Sequence, residues 1–139
     1  MDELKKLTNL IYGEGASADY DTRVMMGSSA LNRLEANRVK EFGSTLDEVG
    51  QKGYYAISNP NVPYKQALSQ KFPDEKSETA YKESMAIASG LLRGKIERAP
   101  GMFYFTKKEV AKLKKTPKKF NFKAVKRVGD VGDYQVYTY

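Results

Sequence analysis

The chain contains no cysteine and no histidine, and these two absences exclude much familiar active-site chemistry. Without thiolates or imidazoles there is no zinc finger, no zinc amidase, no papain-like dyad and no Ser-His-Asp triad. Any reaction must be run by carboxylates, hydroxyls, lysine or tyrosine. A disulfide framework is excluded too, although this says nothing of compartment, since a small cysteine-free domain is stable in either redox setting. Long apolar runs are also missing. The start, Met1-Asp2-Glu3-Leu4-Lys5-Lys6, is charged where a signal peptide would have an apolar run of about 7–15 residues, so neither a signal peptide nor a membrane span is expected. Action outside a cytoplasm would then depend on delivery by another agent.

What is present suffices for a folded core: 139 residues, 40% hydrophobic, 12% aromatic and 29% charged, the expectation being one domain over 1–139. The net charge of +7 is uneven, because residues 95–139 hold 12 Lys/Arg against 4 Asp/Glu, or +8, while residues 1–94 sum to −1. Clusters such as Lys107-Lys108, Lys112, Lys114-Lys115 and Lys118-Lys119 attract any polyanion, because long-range attraction reads charge rather than chemistry. Nucleic acid, anionic lipid and acidic cell-wall polymer all fit that field, as does a solvated basic helix that only aids solubility.

Spacing predicts a predominantly helical α+β chain. Asp2 precedes a face of Leu4, Leu7, Leu10 and Ile11 that ends near Glu14, and Asp19 caps a second helix with Tyr20, Val24, Leu31 and Leu34 on one face. Gly27-Ser28-Ser29-Ala30 in its middle permits a close neighbour. Thr45 and Glu48 read as a capping box over a turn that Gly50 and Gly53 terminate, and Tyr54–Pro63 as an irregular aromatic loop. A short helix is expected from Pro63 or Tyr64, and a longer one from Pro73-Asp74-Glu75 through Tyr81, Met85, Ala88, Leu91 and Leu92 to a Gly94 cap. Met102–Phe105 is extended, and Thr106 with Glu109 caps a basic helix ending before Pro117. Residues 124–128 and 134–138 form a small C-terminal β-hairpin around Gly129–Gly132.

The most informative stretch is Leu10-Ile11-Tyr12-Gly13-Glu14-Gly15, which sets a carboxylate where a helix gives way to glycine. The partial negative charge at a helix C-terminus and partial burial both push such a pKa up, toward the range of a general acid. A glutamate at a helix end is also a common solvated or ion-paired residue. Leu-Ile-Tyr-Gly-Glu at 10–14, Tyr20 and Ala30-Leu31-Asn32-Arg33 resemble the signature of the SleB-type cell-wall hydrolases, the spore cortex-lytic enzymes and their bacteriophage relatives. Later segments follow in the same order. Gly53-Tyr54-Tyr55-Ala56 stands where that family tends to have Gly-Gln-Phe-Ser, Gly101–Phe105 resembles its aromatic strand, and Lys126–Tyr137 its closing hairpin.

The resemblance implies a lysozyme-like fold, no metal or other cofactor, and cleavage of the peptidoglycan glycan between N-acetylmuramic acid and N-acetylglucosamine. Glu14 matches the family's catalytic glutamate. The family's second glutamate is absent, Ala18 ending the run Gly13-Glu14-Gly15-Ala16-Ser17-Ala18, and Tyr54 replaces its glutamine. The implied reaction is lytic transglycosylation, with Glu14 first acid and then base. A second carboxylate such as Asp21 or Glu35, folded into range, would make the chain a muramidase-type hydrolase instead. Tyrosines stack on sugar faces and hydrogen-bond their edges, so Tyr55 and Tyr104, with Tyr54, are the expected substrate contacts. Phe103 and Phe105 are assigned to the core, and Asn32 and Arg33 to orienting or structural work. The expected partners are glycan strands and, for a phage-delivered protein, virion proteins. The competing class is a non-enzymatic polyanion-binding or virion structural protein. Nucleic acid is disfavoured because few aromatics interleave the lysines between Lys107 and Lys119.

Overall fold

The first helix, α1 (Glu3–Gly15), begins where the Asp2 carboxylate accepts from the Lys5 amide at 2.8 Å. Its Leu7, Leu10 and Ile11 are fully buried, each side chain contributing about 1.5–3 kcal/mol of burial. α1 is the central rod of the computed structural model, which describes all 139 residues. Packed around it are α2 (Tyr20–Glu35), α4 (Leu46–Gly53), α5 (Tyr55–Ser58), α6 (Val62–Ser69) and α7 (Glu75–Leu92), with the single turn α3 (Val39–Phe42) beside α4. The rest is β1 (Phe103–Thr106), α8 (Lys107–Lys114), a 3-10 turn at Phe122–Ala124, β2 (Lys126–Val131) and β3 (Tyr134–Thr138). The architecture is α+β, with mostly helices and one small antiparallel sheet of order β1-β3-β2.

Local capping chemistry starts most of the longer helices. Asp19 accepts from Thr22 N at 2.9 Å, Asn61 from Tyr64 N at 2.9 Å and Asp74 from Ser77 N at 2.7 Å. α7 closes at Gly94, whose φ of +71° is left-handed backbone. Four expectations need correction. Leu31 is buried on the expected face of α2, with Val24 and Leu34 half-buried against the core, but Tyr20 is exposed, and Met25, Met26 and Ala30 are buried as well. The reason is that α2 is covered on two sides, by α1 and α7 and, through Met25, Met26 and Val136, by the sheet. α4 runs on through Gly50, where the Ile57 side chain packs. Residues 54–63 form the turn of α5 and the start of α6 rather than an irregular loop, because Tyr54, Ala56 and Ile57 are buried. The terminal hairpin is part of a three-stranded sheet: β1 joins β3 with Phe103 opposite Tyr137 and Thr106 opposite Tyr134. The β2 strand continues past an irregularity between Arg127 and Gly129, so the chain turns at Gly132-Asp133.

An aromatic cluster ties the basic segment to this sheet. Phe103 and Phe120 meet at 4.9 Å between ring centres, Phe105 and Phe120 at 5.0 Å, and Phe122 and Tyr137 at 5.2 Å. The lysines of α8 and of the loop after it are thereby displayed on a fixed surface.

The small residues of α2 do bring helices close. A Cβ on Gly27 would lie 2.8 Å from both Ile11 Cδ1 and Leu91 Cδ1, so α1, α2 and α7 meet at that glycine. Gly27→Val forces three helices apart and is expected to cost about 1–3 kcal/mol, seen as a lowered urea midpoint with unchanged slope.

Candidate active site

Glu14 sits in the last turn of α1, half-buried. Asn61 donates its Nδ2 to the neighbouring Gly13 carbonyl at 2.8 Å, which joins this end of α1 to the start of α6. The Tyr104 hydroxyl, delivered by β1, donates to Glu14 Oε1 at 2.5 Å. The Glu14 pKa is pushed up, first by burial. The Tyr104 hydroxyl, the Ala56 amide and the Arg33 charge pull it back in that order, and the Glu109 carboxylate adds a smaller upward push. The balance suits an acid–base group: burial holds the proton on, and three donors or charges receive the carboxylate once the proton has gone. Tyr104 is itself held well above the ordinary phenol value by burial and by Glu14, so it serves as a hydrogen-bond donor.

A second layer fixes these groups. Arg33 is buried and donates Nε to the Met102 carbonyl at 2.6 Å. Its guanidinium lies 4.7 Å from the Tyr54 ring centre, 4.9 Å from Phe103 and 5.3 Å from Phe42. It makes no ion pair, so aromatic faces hold the cation and its field remains available to Glu14. Gly53 leaves room for this guanidinium, since a Cβ there would overlap Arg33 Nη1 and force the side chain to shift. The Tyr54 hydroxyl and Ser29 Oγ share a hydrogen bond of 2.6 Å. Asn32 Nδ2 donates to the Ala99 and Gly101 carbonyls at 3.0 and 2.8 Å, anchoring the approach to β1.

Two clefts meet at Glu14. One, of about 330 Å³, is lined by Glu14, Arg33, Gly53, Tyr54, Tyr55, Tyr104, Phe105, Glu109 and Tyr134. The other, of about 380 Å³, runs from Glu14 and Tyr134 past Ser17, Asp19 and Thr22 to Asp133. Glu14, Tyr54, Tyr55 and Tyr104 therefore converge on one cleft, but the three tyrosines differ. Tyr55 is 74% exposed and Tyr54 only 2%, so Tyr55 has the free ring face while Tyr54 is mainly a floor. Tyr104 has its hydroxyl committed to Glu14. Asp21 and Glu35 line neither cleft, and Glu35 instead pairs with Arg98. Sequence reasoning missed Glu109 and Tyr134: Glu109 was visible only as a helix cap and Tyr134 only as a strand residue. Their shared cleft with Glu14 depends on β1 pairing with β3.

The largest hollow, about 650 Å³, is elsewhere, between Lys114, Lys118, Lys123, Phe120 and Phe122. No carboxylate lines it. No cluster of three or more Asp or Glu side chains is arranged to hold a metal ion, and no helix is long and apolar enough to cross a membrane. No protein-family model, curated protein or solved structure matches the chain.

The raised Glu14 pKa links stability to pH. Folding favours the protonated acid, so its contribution is complete below the ordinary carboxyl value and is lost as pH rises through the raised folded value. Glu14→Gln mimics the protonated form. Its thermal midpoint should approach that of wild type in acid and exceed it by a margin that grows as pH rises from the ordinary carboxyl value to the raised folded value and is constant above it; a margin independent of pH across that window would contradict the assignment.

Proposed function

We propose that the protein cleaves peptidoglycan glycan strands between N-acetylmuramic acid and N-acetylglucosamine, as a lytic transglycosylase built on a lysozyme-like arrangement of helices and a small sheet. The observation that carries this is the half-buried Glu14, held by Tyr104 at the junction of two clefts. A polymer needs room on both sides of the bond being broken, and the two clefts offer it. The resemblance of residues 10–14 and 30–33 to the SleB-type enzymes supports the choice of polymer.

In this mechanism protonated Glu14 gives its proton to the glycosidic oxygen as the C1–O bond breaks and the bonding pair leaves with that oxygen. The Tyr104 hydroxyl, the Ala56 amide and Arg33 then stabilise the Glu14 carboxylate. The muramoyl C6 hydroxyl closes on C1 and its proton returns to Glu14. The product carries a 1,6-anhydro end, no water is consumed, and one group handles both proton transfers because it is regenerated. Tyr55, exposed at the cleft rim, offers a stacking face for a pyranose.

Glu14→Gln tests the assignment: soluble fragments released from purified sacculi should fall to background while the far-UV spectrum is unchanged. Release at the wild-type rate would overturn it.

The basic surface is assigned to tethering. The nine lysines between Lys107 and Lys126 form no ion pair, leaving their field free for an anionic wall. Replacing Lys112, Lys114, Lys115, Lys118 and Lys119 with glutamine should weaken co-sedimentation with sacculi at low salt. Screening within about 8 Å narrows the difference at physiological ionic strength. Cleavage of short uncharged fragments should persist. Tight DNA or RNA binding lost in the same variant, with no glycan cleavage by either protein, would favour a nucleic-acid-binding protein instead.

A further inference from the structure

The cleft that holds Glu14 has a second carboxylate, Glu109, which reaches it from the first turn of α8. The two acids are distant in sequence, and Glu109 has an evident structural task. Its Oε1 accepts from the Thr106 amide at 2.8 Å while Thr106 Oγ1 accepts from the Glu109 amide at 3.2 Å. This reciprocal cap immobilises the side chain. It engages only one carboxylate oxygen; Oε2 has no hydrogen bond within the chain. Glu109 is exposed on its outer side and makes no salt bridge, although Lys107 and Lys108 are its neighbours in sequence.

The other acids near Glu14 are less suited to act with it. Asp19 lies in the adjoining cleft, away from Arg33, Tyr54 and Tyr55, and is not among the groups that bear on Glu14. Asp133, in that same cleft, does not contribute to the Glu14 balance, whereas Glu109 does. The groups that bear on Glu14 come from every side: Arg33 of α2, Tyr54 before α5 and the Ala56 amide within it, Tyr104 of β1, Tyr134 of β3 and Glu109 of α8. Among them Glu109 is the only carboxylate.

We infer that Glu109 is the second carboxylate of the glycan-cleaving reaction, a fixed negative charge in the same cleft as the proton donor that stabilises the positive charge developing at the sugar C1. The inference rests on the function proposed above and extends it. As the C1–O bond breaks, C1 and its ring oxygen share a positive charge until the C6 oxygen closes on C1. Glu109 forms no bond and moves no proton in this step; it acts through charge, held in place before substrate arrives. The capping box supplies the rigidity that such a role requires.

Glu109→Gln separates this role from helix capping, because a glutamine oxygen still accepts from the Thr106 amide and completes the box. The expected result is an unchanged thermal midpoint with kcat on sacculi lowered about 100- to 1,000-fold, the usual loss when one preorganised electrostatic group is removed. KM should change little and the products should keep their anhydro ends. The alkaline limb of the kcat/KM profile should move to lower pH, since Glu14 loses a negative neighbour. A kcat within about twofold of wild type and an unmoved limb would overturn the inference. So would a loss of activity accompanied by a lowered midpoint and an unmoved limb, which assigns Glu109 to capping alone. Glu14→Gln run in parallel separates the two failures. If that variant is inactive and Glu109→Gln is not, only the role of Glu109 falls; if it remains active, the proposed function falls.

Discussion

A carboxyl group at the C-terminal end of a helix, turned into a half-buried site, is disfavoured as an anion twice: the helix end is partly negative and water is partly excluded. Glu14 is in that position, and the surrounding fold supplies what its two protonation states need. Tyr104 comes from β1, Arg33 from α2 and the Ala56 amide from α5. Each belongs to a different element, so the Glu14 site exists only when the sheet, the central helix and the α4–α5 corner are assembled together. Much of the polar structure supports these contacts. Asn32 holds the chain that leads into β1, Ser29 holds Tyr54, and Tyr54 underlies Arg33.

Arg33 shows how the site remains responsive. A buried guanidinium paired with a carboxylate would have much of its field neutralised, whereas one held by three aromatic faces and the Met102 carbonyl retains it. Arg33 thereby adds to the pull of Tyr104 and the Ala56 amide toward the Glu14 carboxylate. Burial favours the protonated acid, whereas Tyr104, the Ala56 amide and Arg33 favour the carboxylate. A group asked to give a proton and later take one back works best between those limits.

Local chemistry was legible from the sequence. Asp2, Asp19, Thr45, Asp74 and Thr106 mark helix starts through side-chain oxygens that reach amides three residues ahead, information contained in a few adjacent letters. Glu14 could be singled out because its helix end, its glycine neighbours and its motif coincide. Features that depend on long-range packing were not legible. The orientation of α2 depends on being covered from two sides, the third strand on β1 meeting β3, and the contact of Tyr104 with Glu14 spans most of the chain. Tyr54 and Tyr55 are adjacent and chemically identical, yet one is buried and the other exposed. Glu109 was hidden by its own clarity, because a capping box explains the residue fully until the fold sets it in the same cleft as Glu14.

The central claim is that Glu14 breaks a glycosidic bond without water. Mass spectrometry of the fragments released by the wild-type protein from purified sacculi in heavy-oxygen water tests it most directly. Transglycosylation by Glu14 yields muropeptides with 1,6-anhydro ends and no incorporated label. Labelled reducing ends, or no fragments at all from a folded protein, would contradict it.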